Sequence, residues 1–402
     1  MNSQERIFNR TFSLGGDEFT HLNACVGNNG FVDKLTYANG YGKATKLLIE
    51  AVIEDNISIF VDDIVYPICF NARHHIELFL KWAVPKVKAI RNTSSEIHLS
   101  TTHDLEKLFG ELDRLCNKTD FRLGFLTSKM AGFINDFCEI DPTGQTFRYP
   151  DNRENARHLE KTPIINILVF RDRYLELTGL IEEFVEAIYV LTDEYRTGTF
   201  TSKLSRHQIA QIANLLPQHS DWILQEFDLI RRELKQQFNL TSNDLSRVID
   251  KIRTHREFSS LIGLELSLPH ISENTFLKLQ KVIDQELEVD CISVQAWATI
   301  YCVFEISSYQ YYSESFDFLY QTSIRDFEDL GEVYSFLSKL IRYNDRLALG
   351  LRKLGQIKLL NFLIQRVNFE SAVFRLKEEN RLFFERMRNG EIDLGEGKRE
   401  HT

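Results

Sequence analysis

Proline and glycine are scarce, with 7 and 19 among 402 residues, which excludes a collagen-like or low-complexity chain. Cysteine is scarce as well. None of the six, at positions 25, 69, 116, 138, 291 and 302, stands in a CxxC pair or at a Cys/His metal spacing. Cys69, Cys138 and Cys302 sit in apolar company and are expected as reduced core thiols; no metal or cofactor is expected. No apolar run approaches the roughly 18 residues of a membrane span, and the opening MNSQERIFNR has no signal-peptide core, so the expectation is a cytoplasmic protein without a membrane partner. Glycine-rich phosphate loops, Gly-x-Ser-x-Gly and His-Glu-x-x-His are all missing. Positive charge is in deficit: 48 Lys and Arg against 58 Asp and Glu give a net charge of −10. That balance opposes wrapping by nucleic acid and leaves room only for a local basic groove.

Apolar residues at helical spacing are plentiful. The stretch Asp63–Val84 carries Ile68, Cys69, Phe70, Ile76, Leu78, Phe79, Leu80, Trp82 and Val84 around most of a helix, so burial on most sides is expected. Pro67 suits its first turn, and Pro85 is expected to close it. Arg73, Glu77 and Lys81, at i, i+4 and i+8, form one narrow charged stripe with His74 at its edge. Such a stripe faces solvent, meets a polar partner or lines a site, because an unpaired buried charge is very costly.

The remaining pattern predicts a mainly all-α fold. Residues 1–42 look irregular or β-like, with turn signals at Asn28-Asn29-Gly30 and Asn39-Gly40. Helices are expected over Lys43–Glu54, His103–Asn117, Thr127–Phe137 and Ile164–Tyr195, and a small β-hairpin over about 146–160. A boundary is expected at 196–203. A second helical half then covers 204–388, including one long helix over Phe327–Leu354 and a last one over Glu370–Arg388, ahead of a polar tail at 389–402.

Tyr66-Pro67, Arg73-His74, Ile76-Glu77-Leu78 and Leu80-Lys81, followed by His103-Asp104-Leu105, resemble the N-terminal helical signature of the HEPN superfamily over roughly residues 43–200. The resemblance implies a helical bundle that forms a homodimer. In active members it implies a metal-independent RNase, often a toxin or antiviral defence effector; in inactive members it implies a module that binds a nucleotide or docks a protein. The family's catalytic pattern is an arginine, four to six residues, then a histidine, on a helix. Arg153 and His158 have that spacing but fall in the expected hairpin; Arg91 and His98 have it in a Ser/Thr-rich loop. Arg73 and His74 are adjacent, with no histidine at the family distance. An RNase of this kind uses imidazole as general acid or base and guanidinium to hold the phosphate.

Arg73, His74, Arg153 and His158 are therefore the catalytic candidates. Glu77, Lys81, His103, Asp104, Arg148 and Tyr149 are candidates for binding RNA or a nucleotide. Two bland readings stand beside them: His103-Asp104 also reads as a helix cap, and the aromatic run from Tyr301 to Tyr320 reads as core plus interface. The three functional expectations are a HEPN-like endoribonuclease, a non-catalytic dimer binding a nucleotide or partner protein, and a helical scaffold.

Overall fold

The computed structural model describes residues 11–27, 32–55, 58–91, 101–151, 157–308 and 311–370. The chain divides into two compact units, Met1–Asp193 and Glu194–Thr402. Both are helical, and among the described residues there is no sheet. No described helix is long and apolar enough to cross a membrane. All six cysteines are free thiols, and Cys69, Cys116 and Cys302 are buried.

The first unit is built from α1 (Lys34–Glu54), α2 (Val61–Ile90), α3 (Leu105–Thr119), α4 (Phe121–Ile140) and α5 (Ile167–Arg196), whose last turn lies beyond the division. Helix α1 starts well before Lys43, capped by Asp33, whose carboxylate accepts the Thr36 N–H. Asn39-Gly40 is thus helical rather than a turn. The reason lies at Gly42, where an added Cβ would sit 3.2 Å from the His75 ring: the glycine lets α1 lie directly on α2. Pro85 does not end α2. The helix runs through it to Ile90, because Val87 and Ile90 are buried and each such side chain offsets about 1.5–3 kcal/mol of the cost of the broken turn.

Asp104 caps α3 and Asp120 caps α4, each accepting a first-turn N–H. Phe79 meets Phe184 edge-on at 5.6 Å, and His75 Nδ1 lies 2.7 Å from the Tyr174 hydroxyl, so α5 is fixed on α2 by rings and one buried polar contact. Burial pushes the His75 imidazole down to about 4, so it is neutral at physiological pH.

The expected hairpin is reduced to one antiparallel bridge, Asp151 with Arg157, among the described residues. Residues 144–146 give their N–H groups to the Asp141 carboxylate, so the chain curls there instead of extending into a ladder.

The second unit holds α6 (Arg206–Leu215), α7 (Gln225–Gln237), α8 (Ser242–Thr254), α9 (Arg256–Leu261), α10 (Glu273–Ile283), α11 (Val294–Ile306), α12 (Phe316–Ser323), α13 (Leu330–Arg342), α14 (Asp345–Lys353) and α15 (Ile357–Arg366). The single helix expected over Phe327–Leu354 is two, broken at Tyr343-Asn344, so that Phe336 and Leu340 before the break and Leu347 and Leu351 after it all reach one core. The expected helix over Glu370–Arg388 lies outside the described residues, Glu370 apart. Of the aromatic run, Phe304, Phe316 and Tyr320 are buried, Phe318 is exposed, and Tyr309 lies outside the described residues. Tyr301 and Phe304, with Trp297 and Phe327 from beyond that set, contact Phe336. Arg206 is buried between the Phe258 and Tyr312 rings and pairs with Glu257 and Glu314.

Candidate functional site

The charged stripe of α2 faces inward. Arg73 is 1% exposed and Glu77 2%. The guanidinium makes four hydrogen bonds: Nη1 to Glu77 Oε2 at 2.6 Å, Nε to the Asp141 carbonyl at 2.9 Å, and Nη2 to the His103 and Pro142 carbonyls at 2.6 and 3.0 Å. Glu77 also accepts from Lys81 Nζ and pairs with His103 Nδ1, both at 2.8 Å. Burial alone would raise the Glu77 carboxyl; the bonds from Lys81, Arg73 and His103 outweigh it and hold the group below its ordinary range. The polar partner of the stripe is thus the chain itself, at two loops roughly 30 and 70 residues away in sequence.

One of those loops leads to a cavity. Asp141 Oδ1 accepts the backbone N–H groups of Gly144, Gln145 and Thr146 at 2.8, 2.9 and 3.1 Å. Its Oδ2 has no hydrogen-bond partner among the described residues and lies 3.5 Å from Arg73 Nε, an ion contact. Gly144 has φ +81°, and a Cβ on it would stand 3.0 Å from Arg73 Nη1. Only glycine lets the loop close over the guanidinium at this angle. The loop then buries Phe147 and exposes Arg148 and Tyr149. The Arg148 guanidinium lies over the Phe70 ring at 5.6 Å and the Tyr149 ring at 5.4 Å.

Arg148 and Tyr149 line a cavity of about 860 Å³, walled by the first turns of α2, by 146–151 and by 157–165. Asp62, Tyr66, Asp151, Arg157 and His158 also line it. His158 Nε2 is buried with no hydrogen-bond partner among the described residues. Two guanidiniums, two carboxylates, an imidazole and two phenols give donors for phosphate oxygens and acceptors for sugar hydroxyls. The described residues contain no cluster of His, Cys, Asp and Glu able to hold a metal ion.

The sequence candidates thus separate. Arg148, Tyr149 and His158 come together at the cavity. Arg73, Glu77, Lys81 and the His103 ring form the buried network beneath the loop, and Asp104 serves as the α3 cap. His74 is half-buried, stacked on Phe70 at 5.7 Å and edge-on to Tyr41 at 4.5 Å. Burial pushes its imidazole below the ordinary range, against the pull of Glu77. Arg153 and His98 lie outside the described residues. Arg157 and Asp62 carry no motif, and Tyr66 belongs to the HEPN-like signature but was not among the site candidates; the sequence signal for this region was the hairpin expected over about 146–160.

No family model, no curated protein and no solved structure matches this chain.

Proposed function

We propose that the chain is a HEPN-like binding protein that takes a nucleotide in the cavity beside Arg148. The observation that carries this reading is that Arg148, Arg157, Asp62 and Asp151 all line one cavity. Guanidinium forks suit phosphate oxygens, and carboxylates suit ribose hydroxyls. The net charge of −10 favours a small ligand over a long RNA, which needs an extended positive track. In this reading Arg73 acts through the loop it holds and does not touch ligand. Calorimetric titration of the full chain with ribonucleotides tests it. Binding that is lost in Arg148→Ala and Arg157→Ala, with folding retained, is the expected result; unchanged binding in both variants overturns it.

A second reading, metal-independent RNA cleavage, rests on His158. Its unpartnered Nε2 and two cavity arginines are the groups such a reaction uses. Cleavage of RNA in chelator that His158→Ala abolishes supports it; absence of cleavage leaves binding alone.

A further inference from the structure

A second cavity, of about 300 Å³, adjoins the first: Phe147, Thr162, Ile164 and Ile165 line both. Its walls differ in kind. Phe133, Phe137, Phe170 and Tyr174 supply rings, and Cys69 is buried at its edge. Phe170 stacks on Tyr174 at 5.9 Å and meets Phe137 edge-on at 6.1 Å, which leaves ring faces and edges around an apolar space. Burial pushes the Cys69 thiol up to about 12, so this wall is uncharged at neutral pH.

The charged lining groups are solvent-exposed, and the buried Tyr174 hydroxyl is taken up by His75 Nδ1. Asp136 and Arg173 pair at 2.9 Å, and the Arg173 guanidinium covers the Phe133 ring at 4.0 Å. Asn166 Oδ1 caps α5 by accepting the Leu168 and Val169 N–H groups, and its Nδ2 donors have no partner among the described residues.

We infer that the aromatic cavity receives the base of the nucleotide whose phosphate and ribose occupy the polar cavity, with Asn166 Nδ2 donating to the base edge. The inference rests on the nucleotide reading above and narrows the ligand to a mononucleotide. A ring-lined space with a few rim donors fits a flat heterocycle, whereas an alkyl chain leaves the Asn166 donors unused. The shared wall at 162–165 joins the two sites, and base stacking on aromatic rings contributes on the order of 5- to 150-fold in affinity.

The test is calorimetric titration of the full chain with the four ribonucleoside 5′-monophosphates and with ribose 5-phosphate, which lacks the base. The best nucleotide is expected to bind at least about tenfold more tightly than ribose 5-phosphate. Val169→Trp, at a cavity position 65% exposed and so tolerant of a larger side chain, is expected to remove that advantage and leave ribose 5-phosphate binding unchanged. Asn166→Asp keeps the α5 cap, replaces two donors by an acceptor, and is expected to weaken the preferred nucleotide by about tenfold or reverse the base preference. Equal affinity for the nucleotides and ribose 5-phosphate, or an advantage untouched by both variants, overturns the base site while the polar cavity stands. Absence of binding by every probe overturns both.

Discussion

Replacing Arg73 by Met separates a structural arginine from a ligand-binding one. The substitution leaves Glu77 with Lys81 and His103, each at 2.8 Å, so the carboxylate stays paired. The carbonyls of His103, Asp141 and Pro142 lose their donor, and each buried acceptor left unmatched costs about 1–3 kcal/mol. Breaking a buried ion pair from one side costs about 3–5 kcal/mol as a whole, so the sum is set at about 4 kcal/mol. For a unit of this size that lowers the melting temperature by about 8–16 °C. Arg73→Lys keeps a cation near Glu77 but cannot reach three carbonyls from one ammonium, and is expected to recover less than half of the loss. Scanning calorimetry reads both variants. A melting temperature within about 2 °C of wild type for Arg73→Met, together with lost ligand binding, refutes the argument and makes Arg73 a ligand group.

Gly144→Ala forces a side chain into a left-handed φ of +81° and against Arg73 Nη1, so a loss of about 2 kcal/mol is expected in denaturant titration. In a double-mutant cycle that loss should shrink when Arg73 is already Met. His75 predicts a pH dependence. Its imidazole titrates at about 4 in the folded chain against about 6.5 unfolded. Above pH 7 it contributes nothing; as pH falls from about 6.5 toward 4 the unfolded chain takes a proton that the folded one refuses, and stability drops. The drop is about 2 kcal/mol by pH 5, and His75→Asn should show a correspondingly flatter profile between pH 7 and 5 in chemical denaturation. In the second unit, Arg206→Met leaves Glu257 and Glu314 facing each other without their shared cation and is expected to cost about 3–5 kcal/mol by thermal melting.

Helix content was legible from apolar spacing and caps because both are local. Stops were less so. Pro85 and Asn39-Gly40 are breakers by their own chemistry, and burial of Val87 and Ile90 and the contact of Gly42 with His75 override them from outside their windows. Tyr343-Asn344 carries no comparable breaker, and the chain bends there to return apolar residues to a core that the sequence does not display. The stripe Arg73-Glu77-Lys81 was visible, but not which way it turns. That depends on carbonyls at 103, 141 and 142, and a carbonyl has no signature in sequence. Arg157 was hidden for a related reason: a lone arginine means little until a cavity forms around it.

The Asp141 clamp spans only six residues, whereas the guanidinium that fastens the clamp comes from position 73. Form and placement of the segment bearing Arg148 therefore have separate genetic addresses. Transplanting 141–146 alone into a foreign helix end would carry over its curl. The direction in which it points would have to be supplied anew by whatever host side chain stands where Arg73 does.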